Sequence, residues 1–146
     1  MMKLALALAA LMALPAAAQD APATTLSGSG PTVQLPQVAG ATADPTCANR
    51  PELARIAYCI ATTQAGMQTV ADVYTADFEG QGWLVGAGDD NLIIYIRRKE
   101  GGGCEAFQMQ AFAPDGAVQA PGAPAYLAFA TIPGDVCAAT PAPAGS

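Results

Sequence analysis

The sequence contains no histidine, only 6 lysines and arginines among its 146 residues, and a single tryptophan. Each shortage removes a class of function. Without imidazole there is no side chain that ordinarily titrates near neutral pH, so general acid–base catalysis lacks its usual agent. A zinc site would need all four cysteine thiolates. The few positive charges face 12 acidic residues, a formal net charge of −6. A chain so short of clustered positive charge is a poor binder of nucleic acid or of an anionic membrane surface. No Cys-x-x-Cys pair is present, which leaves a thioredoxin-like dithiol unsupported. No Asn-x-Ser/Thr acceptor is present either. After residue 19 no long apolar run recurs, so no membrane-spanning helix is expected once the leader is removed.

That leader is the most informative stretch. Lys3 supplies a positive start, Leu4 to Leu14 is an unbroken apolar run, and Ala16-Ala17-Ala18 offers small residues for cleavage. The pattern reads as a secretory signal peptide over residues 1–18, too short to span a bilayer. Cleavage after Ala18 leaves five basic side chains against twelve acidic ones. No cysteine stands at the cleavage site, so a lipid anchor is not indicated. The expected location is outside the cytoplasm, in a bacterial periplasm. There the four cysteines, Cys47, Cys59, Cys104 and Cys137, should be disulfide-bonded.

Residues 19–45 are rich in Ala, Thr, Ser, Gly and Pro without a sustained apolar period, and are expected to be a flexible segment. Residues 139–146 read as a disordered tail of the same kind. Between them, residues 46–138 form one small domain whose core would benefit from staples worth about 2–4 kcal/mol each.

Asn49 and Glu52 resemble a capping box, with Pro51 in the first turn. Leu53, Ile56, Ala57 and Ile60 then recur at helical spacing, and Met67, Val70, Ala71, Tyr74 and Phe78 continue the same face. Thr62 to Gly66 would break or kink this helix, and Gly80, as the C′ residue, with Gly82 would end it. Four β-like runs follow, around Trp83–Val85, Leu92–Arg97, Phe107–Phe112 and Tyr126–Ile132, separated by turn-forming residues. Pairing Ile96 with Phe107 and Ile94 with Met109 would gather large apolar residues on one face and set Arg98 opposite Glu105. The fold class expected is α+β. An N-terminal helix, in one or two pieces broken near Thr62–Gly66, packs on one face of a four-stranded antiparallel β-meander stapled by disulfides.

A hairpin of the last two strands would bring Cys104 to Cys137. The remaining bridge, Cys47–Cys59, requires the chain to double back at once, since three extended residues reach only about 10 Å; the other two of the three possible pairings would instead staple the helix to the sheet.

Catalytic residues are not assignable. Ser27 and Ser29 fall in the segment of residues 19–45 expected to be flexible, and Lys99 is the only lysine after the signal. No cofactor or metal is expected; Asp89-Asp90-Asn91 lacks the alternating ligands and distal Glu of a calcium loop and reads as a turn. Arg97, Arg98 and Lys99 form a basic cluster that would contact an anion or sit as a solvated hairpin end. In the expected register Tyr95, Gln108, Gln110 and Tyr126 lie on the face away from the helix, a mixed surface suited to partner contact. The function expected is non-catalytic binding of a protein or small ligand in the cell envelope. A small-molecule or lipid carrier with a helix–sheet cavity and a carboxylate-based hydrolase are the alternatives.

Overall fold

Val33 and Leu35 flank Gln34, and this period-two pattern makes a strand in a stretch whose composition alone suggested none. The computed structural model describes residues 20–138. The signal peptide expected over residues 1–18 and the disordered tail expected over residues 139–146 lie outside the described residues. Within them the order is β1 (Thr24–Leu26), β2 (Val33–Leu35), β3 (Thr42–Ala43), α1 (Pro51–Ala54), β4 (Tyr58–Thr63), α2 (Met67–Gly80), β5 (Leu84–Asp89), β6 (Leu92–Arg98), β7 (Cys104–Phe112) and β8 (Pro124–Ile132). β1 and β2 form a two-stranded sheet, and the rest a six-stranded antiparallel sheet in the order β3-β4-β8-β7-β6-β5.

The molecule is therefore mostly β, with eight strands and two helices among the described residues, and not a helix on a four-stranded meander. Three local causes account for the difference. First, Tyr58-Cys59-Ile60-Ala61-Thr62-Thr63 is strand β4, because its aromatic and β-branched residues suit a pleated surface, and Ile60 alternates inward. The helical spacing of Leu53, Ile56, Ala57 and Ile60 is a coincidence of phase. α1 is a single turn capped by Arg50 without a side-chain bond, so the Asn49–Glu52 box does not form.

Second, the segment expected to be flexible is folded. Ala21, Leu26, Val33, Leu35, Val38 and Ala41 join the main buried cluster. Third, the β6–β7 register is shifted by one residue. Tyr95 lies opposite Phe107, Ile93 opposite Met109, and Arg97, rather than Arg98, opposite Glu105. A one-residue slip turns every side chain to the other face. Aromatic packing decides it: Tyr95 stacks on Phe107 at 4.9 Å and meets Phe78 at 5.1 Å, while Trp83 meets Phe107 at 4.8 Å. Rings of this size bury on the order of 150–250 Å² each, more than the Ile side chains they displace from the core.

α2 lays Val70, Tyr74 and Phe78 on the inner sheet face. It ends in a Schellman turn. Gly82, at φ 88°, takes the left-handed position expected for Gly80, and the Trp83 and Gly82 N–H groups donate to the Phe78 and Glu79 carbonyls. That turn delivers Trp83 into the core at the start of β5.

Both disulfides close, Cys47–Cys59 with a Cα separation of 5.3 Å and Cys104–Cys137 with 5.1 Å. The reversal needed by the first is made by Cys47, Ala48 and Asn49, all left-handed at φ 49°, 57° and 60°. None is glycine, so each carries a conformational cost of about 1–2 kcal/mol, least for Asn. Asp44 holds the turn, accepting from the Thr46 hydroxyl at 2.7 Å and from the Thr46 and Ala48 N–H groups at 2.9 and 2.8 Å.

Candidate functional site

Strand β6 reads Leu92-Ile93-Ile94-Tyr95-Ile96, apolar on both faces. Ile93 and Tyr95 face α2 and the buried cluster. Leu92, Ile94 and Ile96 point to the opposite, outer face of the sheet, where they belong to neither buried cluster and remain partly exposed. Their cross-strand neighbours are Gln110, Gln108 and Ala106 on β7, and beyond these Ala128, Ala130 and Ile132 on β8. On the other side Leu84, 68% exposed, pairs with Ile96.

Two ends of this outer face are covered. At one, the Cys47–Cys59 bridge and α1 pack Leu53, Ala54 and Ala57 with Ala128 and Phe112. At the other, the segment after β8 folds back through Cys104–Cys137. There Asp135 accepts from the Cys104 and Cys137 N–H groups at 2.8 and 2.9 Å. Those two donors, with a smaller contribution from the Lys99 charge, outweigh desolvation and hold the Asp135 carboxyl below its ordinary value. The centre, around Ile94, Gln108 and Ala130, is open. It combines a flat apolar strip with amide side chains that donate and accept, a composition suited to a protein surface.

Of the contact residues expected from sequence, Gln108, Gln110 and Tyr126 lie on this outer face and Tyr126 stacks on Phe112 at 5.4 Å. Tyr95 does not. It is fully buried, its hydroxyl 2.6 Å from that of Thr75. Burial raises the Tyr95 pKa, the Thr75 bond opposes the rise, and Glu79 and Asp72 add to it. Tyr74, also in the core, is pushed up to about 12 by burial and then by Tyr58.

The basic cluster is divided by the register. Arg97 is committed inward: it pairs with Glu105 at 2.7 Å, donates to the Gln81 carbonyl and lies 4.1 Å over the Trp83 ring. Arg97 is thus a packing residue rather than an anion contact. Arg98 and Lys99 are exposed and in no ion pair among the described residues. The four cysteines are all bridged and none is free.

Leu92, Ile94, Ile96 and Leu84 were missed as surface residues. The signal for them was an apolar run without alternation, which marks a strand with two faces to cover. Apart from this face, a cleft of about 580 Å³ lies between the β1–β2 loop at Ser27–Ser29 and the segment Arg55–Tyr58. Its one cation, Arg55, pairs with Glu52. The helix–sheet interface is filled by the Tyr74, Phe78, Tyr95, Phe107 and Phe129 rings. No group of three or more His, Cys, Asp and Glu side chains is placed to hold a metal among the described residues. No helix among them is long and apolar enough to cross a membrane.

The fold and its open face define a disulfide-stapled antiparallel β domain. Compared with known proteins, the chain is matched by no family model, none of the curated proteins and none of the solved structures.

Proposed function

We propose that this chain is an exported, non-catalytic binding module of the cell envelope, and that it engages a protein partner through its outer sheet face. The observation that carries the reading is β6: it is apolar on both faces, yet the Leu92–Ile94–Ile96 side belongs to neither buried cluster. Strands apolar on both sides are ordinarily covered on both. An apolar strip bordered by polar amides is the composition of an interface centre and its rim. The amino-terminal leader and the two disulfides support an oxidising, extracytoplasmic site of action.

The test is affinity capture from an envelope extract with the wild-type chain and with Ile94→Asp. The partner band should fall at least tenfold with Ile94→Asp, while the circular-dichroism melting curve keeps a single cooperative transition, lowered by several degrees at most. Undiminished capture by a folded Ile94→Asp protein contradicts the reading.

A further inference from the structure

The six-stranded sheet ends very unequally. At one edge β3 is two residues long, while at the other β5 offers six residues, all exposed and with no strand on their outer side. An open edge of this kind presents unpaired N–H and C=O groups to any chain that can lie alongside, and proteins usually blunt it. Here the common devices are few. Leu84 to Gly88 contains no charge and no proline, and Leu84 and Val85 are 68% and 53% exposed. One irregularity is present, a shift of register between Val85 and Ala87. It is built around Gly86, where a Cβ would collide with the Ile96 side chain. This lets the edge strand lie close on β6 instead of being pushed out.

The charges at the two ends of β5 differ in sign. Leu84 pairs with Ile96 and Asp89 with Leu92, so Arg98 lies just beyond the Leu84 end. Asp89 and the turn residue Asp90 occupy the other end. Arg98, Asp89 and Asp90 are exposed and enter none of the ion pairs formed among the described residues. Arg98 therefore stands on β6 beyond one end of the open edge, and Asp89 and Asp90 stand at the other.

We infer that two copies of this chain pair antiparallel along β5, joining their sheets into one continuous sheet. Antiparallel strands are related by a two-fold axis, so each contact is made twice. That arrangement sets Arg98 of each protomer near Asp89 and Asp90 of its partner, whereas parallel pairing would juxtapose like charges. The main chain supplies attachment, and the terminal charges select orientation and partner. The outer faces of the two protomers then lie side by side. This pairing needs no other protein, so it stands apart from the partner reading above. The interface is short, which places it among weak, concentration-dependent associations.

Sedimentation velocity on the purified protein, from about 10 µM to about 1 mM, reads the association directly. A monomer–dimer equilibrium is expected in that range. Val85→Lys places a charge on an exposed edge position and should raise the dissociation constant at least tenfold, with an unchanged melting curve as the check on folding. Arg98→Asp and Asp90→Arg should each raise it about tenfold, because each converts two symmetric attractions into repulsions. The double variant Arg98→Asp with Asp90→Arg should return it to within about threefold of wild type. A mass that stays monomeric to about 1 mM overturns the proposal. So does a dimer indifferent to Val85→Lys, which would assign self-association to another surface, or a double variant no better than the single ones.

Discussion

Tyr95→Ala and Ile94→Ala are adjacent substitutions with opposite expectations, and they test the register on which the outer face depends. Tyr95 is fully buried, stacked on Phe107 at 4.9 Å, edge-on to Phe78 at 5.1 Å, with its hydroxyl 2.6 Å from that of Thr75. Truncating a buried aromatic residue to alanine costs about 3–5 kcal/mol, and losing the hydroxyl bond adds about 1 kcal/mol. Since small domains hold only about 5–15 kcal/mol in total, Tyr95→Ala should be severely destabilised or unfolded. Ile94, on the outer face and partly exposed, has already kept some of its surface in water, so its truncation should cost about 1 kcal/mol. Urea denaturation followed by circular dichroism measures both, with a common slope as the check that the unfolded states are comparable. In the register shifted by one residue Tyr95 would face solvent and Ile94 would be core. Near-wild-type stability for Tyr95→Ala, with a loss above about 3 kcal/mol for Ile94→Ala, would refute the packing described.

Three further outcomes follow from local geometry. Ala48→Gly should stabilise by about 0.5–1 kcal/mol. A left-handed Ala costs about 1–2 kcal/mol and glycine returns part of the gain as chain entropy, so a lower urea midpoint would count against strain at φ 57°. Tyr58→Phe should be neutral or mildly stabilising, because the Tyr58 hydroxyl is buried with no partner; a loss near 1 kcal/mol would reveal a hidden bond. Acid should loosen the Asp44 turn and the Asp135 clamp. Burial raises the Asp44 carboxyl, but the Thr46 hydroxyl and the Ala48 and Thr46 N–H groups together hold it below its ordinary 3.8, and Asp135 is lowered too. Carboxyls depressed in the folded state contribute stability above their unfolded value of 3.8, lost as pH falls through the folded value. Thermal midpoints should thus decline below about pH 4, and less steeply in Asp44→Asn; an equal decline would remove Asp44 from the explanation.

The sequence was legible where chemistry is local. The β5–β8 strands were signalled by turn residues, the bridging of the cysteines by export, and the Cys104–Cys137 pair by the expected hairpin. The reach of the chain told against Cys47–Cys59, and the left-handed turn at Cys47, Ala48 and Asn49 supplies the reversal it needed. The rest depended on contacts between distant segments. Ile60 fits the helical period that begins at Leu53 as well as a strand period, and only the pairing of Tyr58–Thr63 with Pro124–Phe129 of β8 decides between them. Val33 and Leu35 are too few to stand out in a Thr-, Ser- and Gly-rich stretch, yet the main core requires them. In β6 five consecutive apolar residues make both registers equally patterned, and either places an arginine opposite Glu105. Ring packing from Phe78, Trp83 and Phe107 breaks that tie, and no window of sequence contains it.

The outer sheet face as a partner surface is tested most directly by site-specific photo-crosslinking in the envelope. A benzoylphenylalanine at Gln108, in the centre of that face, should capture a discrete partner, and one at Ala76, on the solvent side of α2, should not. Crosslinks at both positions alike, or at Ala76 alone, would contradict the account.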